Sequence, residues 1–399
     1  MHALQNDIVI VGAGPSGLAL AAELKRLGIS ALILDRLEAG ANTSRAVVVH
    51  ARTLEVLEPL GATPELLQAG VMVPIFRIRD RSKILASISF QELDTPYPFT
   101  LMCPQDRTEA ILLRRLQSLG SDVERPADVV SIRPTGHDVE VHVKRAGELS
   151  VLHTKWLVGC DGAHSVVREQ ASIPFEGGAY QESFLLGDLE LDWPLDREEV
   201  SLFYSEQGLM VVAPLPGSDF HFRVVATVQQ APETPSVTDF ERILAERGPQ
   251  NGTVALRRLA WSSRFHIQHR VAKVLRQGQV LLVGDAAHVH SPAGGQGMNT
   301  GIQDAISLAG ALQSTLQSGK EDALQDWQEQ RLEIARSVVN LTDRMTKIAT
   351  LSSPVLKALR NATVGIVGHI PFAQHALAET LAELDHRRSG RPRSLRRTG

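Results

Sequence analysis

Asp7-Ile8-Val9-Ile10-Val11-Gly12-Ala13-Gly14-Pro15-Ser16-Gly17 carries an unbroken apolar, β-branched run straight into a glycine-rich turn. The run predicts a short buried strand, and residues 18–27 return to helical spacing with Gly28 placed to close the helix. Residues 31–34 predict a second strand, ending in Asp35-Arg36. This is a βαβ unit whose first turn has the G-x-G-x-x-G spacing. Gly12 permits the tight turn, Gly14 lets backbone approach a pyrophosphate, and Gly17 lets helix pack on strand. Asp35, 18 residues after Gly17, is placed to accept hydrogen bonds from a ribose.

The same pattern recurs late in the chain. Residues 280–283 predict a buried strand, followed by Gly284-Asp285-Ala286-Ala287-His288 and Ser291-Pro292. Gly294-Gly295-Gln296-Gly297-Met298-Asn299-Thr300-Gly301 then leads into a predicted helix over 302–316. A carboxylate, a glycine-rich loop and a helix N-terminus suit a polar, partly anionic ligand. Taken alone, the loop has a lesser alternative, that it needs glycine for packing. Between the two lies Gly159-Cys160-Asp161-Gly162-Ala163-His164-Ser165, a strand-to-helix turn in which Ser165 can cap the following helix.

Elsewhere the period shortens to two over 73–90 and 184–228, with breaks near Pro194, Gly208, Pro214 and Gly217. Helical spacing covers 107–119 and the stretch from Leu324 to about Leu384. Residues 129–132 and 139–143 predict a hairpin. The expected organisation is therefore discontinuous: a nucleotide-binding domain from 1–72, 101–179 and 276–340, and a β-sheet domain from 73–100 and 180–275. Helices follow over 341–385, then a basic tail over 386–399.

With 43% hydrophobic and 22% charged residues and a net charge of −4, the composition is that of a soluble globular protein. Nothing in it favours nucleic acid. Two cysteines, Cys103 and Cys160, cannot build a disulfide framework, so a cytoplasmic setting is expected. No run approaches the ~20 apolar residues of a transmembrane helix, and no metal-ligand spacing is present. The arginine-rich tail reads as solvated, although its charge also suits an anionic partner.

Gly12–Gly17 with Asp35, then Asp161-Gly162, then Gly284-Asp285, in this order and spacing, resemble the three markers of the class A flavoprotein monooxygenases, the FAD-dependent aromatic hydroxylases. Ser44-Arg45-Ala46 with Arg52-Thr53-Leu54-Glu55, and Pro104-Gln105 with Thr108-Glu109, extend the resemblance to about residue 340. It implies an α/β fold: a Rossmann-like FAD-binding domain of glutathione-reductase type, an inserted, mainly antiparallel substrate domain, and C-terminal helices. It also implies roles. Gly12, Gly14, Ser16, Gly17, Asp35 and Arg36 would hold the adenosine and pyrophosphate of FAD. Arg45 and Gln105 would reach its phosphate or ribityl region, and Val123 its adenine side. Asp161 would serve FAD and the transient NADH or NADPH, and Asp285 the ribityl chain. Gly297, Met298 and Asn299 would point backbone N–H groups at the pyrimidine edge, where reduced flavin is anionic. Pro292 would border the face where O2 reacts.

The implied activity is hydroxylation of a small or polyketide-like aromatic through a flavin C4a-hydroperoxide. No acid–base residue is assigned. Tyr204, Met210, His221, Phe222 and Arg223 are the pocket candidates. Tyr204 and Phe222 read more readily as core; His221 and Arg223 are either solvated strand residues or holders of an anionic group. Alternatives are an epoxidase or reductase acting on an alkene or isoprenoid, and a flavin-bound protein that shelters an intermediate. A homodimer is compatible with the pattern. Two departures stand out: Asp35 replaces the commoner Glu, and nothing after Leu324 resembles the thioredoxin-like domain of larger relatives.

Overall fold

Ile8, Val9 and Ile10 are fully buried, so the first strand is apolar on both faces and belongs in the interior of a parallel sheet. The computed structural model describes residues 6–40, 46–351 and 353–389. Residues 1–5, 41–45, 352 and 390–399, which include Arg45 and most of the basic tail, lie outside the described residues.

In chain order the first part contains β1 (Asn6–Val11), α1 (Pro15–Arg26), β2 (Leu32–Leu34), β3 (Val48–Val49), α2 (Ala51–Leu57), α3 (Thr63–Ala69), β4 (Val71–Val73) and β5 (Ile75–Asp80). Next come β6 (Lys83–Ser89), β7 (Thr100–Met102), α4 (Gln105–Ser118), β8 (Val123–Glu124), β9 (Asp128–Pro134), β10 (Val139–Arg145), β11 (Glu148–Gly159) and α5 (Val166–Gln170). The middle holds β12 (Phe175–Asp192), β13 (Glu199–Ser205), β14 (Gly208–Pro214), β15 (His221–Val228), α6 (Val237–Arg247) and β16 (Ala255–Ala272). The end contains β17 (Arg276–Gln277), β18 (Val280–Leu282), β19 (His288–Val289), α7 (Gln296–Ser318), α8 (Asp322–Ala349), α9 (Pro354–Val367), α10 (Pro371–Leu381) and α11 (His386–Ser389).

The first sheet runs β17-β18-β11-β1-β2-β8. β1 lies between β11 and β2, parallel to both, and β18 is parallel to β11 on its far side. The three strands that feed the marker turns are thus neighbours or near neighbours, and their C-terminal ends share one edge. The predicted hairpin is β9–β10; β10 pairs with the first half of β11, whose second half enters the parallel sheet. Helix α1 packs against α4 and α7.

The second sheet runs β19-β16-β12-β15-β14-β13-β5-β6 and is antiparallel apart from β13–β5. Its side chains divide by strand alternation. Leu185, Leu189, Phe203, Met210, Phe222 and Val224 form a core under α6 with Phe240, Ile243 and Leu244. Val200, Ala213 and Leu215 lie on the opposite face and join the main core. Helices α9 and α10 pack on β6. Among the described residues, no helix is long and apolar enough to cross a membrane.

Candidate cofactor and substrate site

Three glycines in the first turn have three different surroundings. Gly12 has φ +99°, and a Cβ there would sit 2.4 Å from the Cys160 carbonyl oxygen, where β1 meets the end of β11. A Cβ on Gly17 would sit 2.0 Å from the Gly12 carbonyl oxygen, so only hydrogen lets α1 close on the turn. A Cβ on Gly14 would meet nothing within 4 Å. Two glycines therefore serve the chain itself, and the third leaves an open approach to backbone at a helix start. Asp35 ends β2 beside this turn. Its Oδ2 accepts the Ala13 N–H at 2.7 Å and its Oδ1 the Leu37 N–H at 2.8 Å. Arg36 is exposed.

Ser16 joins this turn to the late one: Cβ atoms added at Gly284 or Gly301 would meet its Oγ at 2.6 and 2.5 Å. Asp285 occupies a single 3-10 turn, exposed while Gly284, Ala286, Ala287 and His288 are buried. Pro292 is likewise exposed.

Helix α7 begins at Gln296, six residues earlier than the sequence pattern suggests, because Gly294 and Gly295 take positive φ and turn the chain into it. Gly295 also lies where a Cβ would meet Val48 at 2.5 Å. The N–H groups of Gln296, Gly297 and Met298 are those without partners inside the helix. Asn299 is corrected: its N–H falls in the helical ladder, and its buried side chain is scaffold. Its Oδ1 accepts the His50 N–H at 2.8 Å, and its Nδ2 donates to the Val48 and Gly295 carbonyls at 2.8 and 2.7 Å.

A buried polar seam that the sequence reading missed backs this helix start. Gln296 donates to the Leu381 carbonyl at 3.1 Å. Glu383, fully buried, accepts from Thr300 at 3.2 Å and from Gln303, which also donates to Thr53. Burial pushes the Glu383 carboxyl up to about 8 and the His50 imidazole down to about 4. His386 is driven to about 3, mainly by burial and then by Arg331. These groups are neutral near pH 7. Asp304 is the contrast. Burial opposes its charge, yet Arg331 and His288 hold its carboxyl below the usual range, with His288 Nε2 at 2.6 Å. His288 is thus structural.

In the middle marker, Asp161 Oδ1 accepts from Ser165 at 2.6 Å and Oδ2 from the Val167 N–H at 3.2 Å. Burial raises its pKa. Ser165 caps α5 as expected. Arg168, just beyond, donates to the carbonyls of Ala163 and Ala286 at 3.0 and 3.1 Å, tying the middle marker to the late one. Gln105 donates to Glu109 at 2.8 Å and accepts the Ala46 N–H at 3.4 Å. Val123 sits in the β8 edge strand beside Ile33, its N–H accepted by Asp122 at 2.8 Å. Arg125, unnoticed in the sequence, reaches the Ala13 carbonyl at 3.4 Å while its buried Nε has no partner among the described residues.

The pocket candidates separate. Met210 is corrected to core, and Phe222 is core as its sequence reads: alternation turns both toward α6, away from the face that meets the first sheet. Tyr204 is packed with Leu209 and Ala349, under the Arg360 guanidinium at 4.6 Å. His221 faces Glu190 at 3.3 Å. Arg223 is buried, not solvated, and is ion-paired to Asp188 at 2.7 and 2.8 Å, with one N–H on the Ala46 carbonyl at 3.2 Å.

These residues fit FAD. The open approach at Gly14 adjoins Ala13, whose carbonyl Arg125 reaches with its Nε unpartnered. The start of α7, with no side-chain cap, lies beside His290, which passes within ordinary contact distance of a Cβ placed at Gly297. His290 Nδ1 donates to the Ser291 carbonyl at 3.0 Å, which leaves Nε2 a buried acceptor with no partner among the described residues. Burial lowers this imidazole to about 4.

A family model described as an FAD binding domain matches residues 5–342. The 6-methylpretetramide 4-monooxygenase of Streptomyces rimosus is 35% identical over 353 residues, 88% of this chain and 63% of that protein. The chain thus spans less than two thirds of that relative's length. The structure of p-nitrophenol 4-monooxygenase from Pseudomonas putida superposes with a TM-score of 0.86 over 97% of this chain and 99% of that one, at 23% identity, a likeness of fold. A structure titled as a Diels-Alderase of pyrroindomycin biosynthesis superposes with a TM-score of 0.77 at 28% identity, over 94% of this chain and 80% of that one.

Proposed function

The chain belongs to the FAD-binding-domain family of flavin-dependent aromatic monooxygenases, and on that footing we propose that it uses NADH or NADPH and O2 to hydroxylate an aromatic substrate. The observation that carries the reading is the Ser16 junction, where the pyrophosphate-type turn meets Gly284 and Gly301 of the late marker, five residues into a helix whose start has no side-chain cap. FAD, once reduced by the nicotinamide nucleotide, supplies the activation of O2, of which one atom enters the substrate and the other leaves as water.

The chain's own residues bind, orient and exclude water. Gly14 and Ser16, with Asp35 and Arg36, hold the adenosine and pyrophosphate end, and Arg125 supplies a cation beside them. Arg45 and Gln105 take the phosphate or ribityl region, Val123 borders the adenine and Asp161 stands by the nicotinamide path. Asp285 takes the ribityl chain. The first turn of α7, at Gly297 and Met298, stabilises negative charge on the pyrimidine edge. Pro292 borders the reacting face. The main-core face of the second sheet, with Leu202 and Val211, offers the apolar wall an aromatic ring requires. A cytoplasmic supply of NAD(P)H belongs to this reading.

A second reading, a flavin-bound protein that shapes a substrate without oxygen transfer, is favoured by the likeness to the Diels-Alderase. One experiment separates the two. NADH and NADPH oxidation is followed with a panel of phenols under isotopically heavy dioxygen. Hydroxylation gives substrate-stimulated oxidation and one heavy oxygen atom in the product. A panel that stimulates nothing and gains no label removes the monooxygenase reading.

A further inference from the structure

Arg360, on the inner side of α9, is only 6% exposed and has no carboxylate within ion-pair distance among the described residues. Its Nη1 donates to the Ile348 and Ala349 carbonyls at 3.3 and 3.2 Å, closing the end of α8, and its Nε to Asn361 at 3.0 Å. Nη2 is buried with no partner among the described residues. Other buried arginines are answered by acids: Arg79 by Glu199, Arg223 by Asp188 and Arg331 by Asp304. Arg247, which also lacks a carboxylate, lies on the α6 side of the second sheet and holds the Leu209 and Thr227 carbonyls, both at 2.8 Å. Asp80, whose charge bears on Arg360, is taken up by Asn361 at 3.2 Å. Burial lowers the Arg360 pKa, yet a guanidinium keeps its proton inside a protein. Capping α8 uses one arm of the group. The other is a desolvated, charged donor, which is costly unless something answers it.

This cation lies at one end of the wall assigned above to the aromatic ring. Its guanidinium sits 4.6 Å over the Tyr204 ring, which fixes its plane. Tyr204 follows Leu202 by two residues, roughly 7 Å along β13, and by alternation shares its face. Ile78 and Val211 pack against both the main core and the Tyr204 cluster, so the apolar surface is continuous. Helix α8 joins the same end to the late marker. Thr346 donates to Ser291, next to Pro292, at 2.6 Å. Ala349 follows three residues on, roughly 4.5 Å along the helix. We propose that Arg360 is the anion anchor of the substrate pocket, and that the aromatic substrate carries a carboxylate or ionised phenol at the end away from the carbon that is hydroxylated. This rests on the monooxygenase reading proposed above. The donor set selects the group. One free arm of a guanidinium, beside the apolar Tyr204 cluster, serves a single anionic oxygen. A phosphate or sulfate buried there would leave oxygens unanswered.

The test is equilibrium binding to the FAD-loaded full chain without NADH or NADPH, read from the change in flavin absorbance. The probes are 4-hydroxybenzoate and 6-hydroxy-2-naphthoate, each set against its primary amide, which has nearly the same shape and no charge. Wild type should bind at least one acid about tenfold more tightly than its amide. Arg360→Gln, which keeps a donor for the α8 carbonyls, should bind that acid and its amide alike, with amide affinity and flavin spectrum unchanged. Arg360→Lys keeps the charge without the planar fork and should lose about threefold of the preference. It decides the matter if Arg360→Gln does not fold. A wild type that prefers neither acid, or a preference that survives intact in the deciding variant, would overturn the proposal. The outcomes also separate it from the reading it rests on. Heavy oxygen entering a neutral phenol, with no acid preference, would remove the anchor and keep the monooxygenase. An acid preference lost in Arg360→Gln, with no label in any product, would keep the anion site and remove oxygen transfer.

Discussion

The two turns that meet at Ser16 are built from the same parts, a strand end, glycines and a helix N-terminus, yet they are held in place differently. The first is fixed by close backbone contact, within the turn itself and against the end of β11. Gly12 fits against Cys160, Gly17 fits against Gly12, and Asp35 clamps Ala13. The second turn is held from a distance. Asn299 ties α7 to His50 and Val48, Gln296 reaches Leu381, and Glu383 binds Thr300 and Gln303. The first turn is made by close contact and one carboxylate clamp. The start of α7 is instead set by a polar seam assembled from three parts of the chain.

The contrast can be broken most severely at Gly12. Gly12→Ala places a Cβ 2.4 Å from a backbone oxygen at φ +99°, which should cost about 3 kcal/mol or more and abolish soluble FAD-bound protein. Gly14→Ala, whose Cβ would meet nothing, should fold normally and lose FAD affinity alone. Flavin absorbance and circular dichroism separate the two outcomes. Asn299→Ala strips a buried partner from His50, Val48 and Gly295, and should lower stability by about 3 kcal/mol in denaturant unfolding. A normal unfolding midpoint would show that the seam does not hold the second turn.

A smaller effect lies in pH. The Glu383 carboxyl titrates near 8 when folded, above its unfolded value. Its contribution is fully present below the unfolded pKa and is lost as pH rises through about 8. Wild type minus Glu383→Gln should therefore show a stability difference that grows against wild type from about pH 5 to about pH 8, by a few kcal/mol at most. Melting temperatures of both proteins across that range check it. His50, His290 and His386, all driven to acid values, act in the opposite direction, losing their contribution as pH falls below about 6.5.

This difference also explains what could be read in advance. The βαβ unit, Asp35, the late strand and the antiparallel sheet were legible because local periodicity and glycine spacing carry them. Met210 was misplaced because strand alternation says which residues share a face but not which face meets the cofactor domain. Glu383, Gln303 and His386 left no mark, since a buried polar seam joins residues 80 to 250 positions apart and has no spacing of its own. Arg125 could have been found: a basic residue just past an edge strand of the parallel sheet stands where such sheets bind ligands. The start of α7 came early because glycines at 294 and 295 read as loop when they in fact turn the chain into the helix.

The central claim is that the two turns grip opposite ends of one FAD. Binding of ADP and of riboflavin to the apoprotein tests it in a single titration series on Asp35→Ala and Asp285→Ala. Asp35→Ala should weaken ADP and leave riboflavin unchanged, while Asp285→Ala should do the reverse. Equal losses of both ligands in both variants, or no loss in either, would contradict the assignment of one turn to each end.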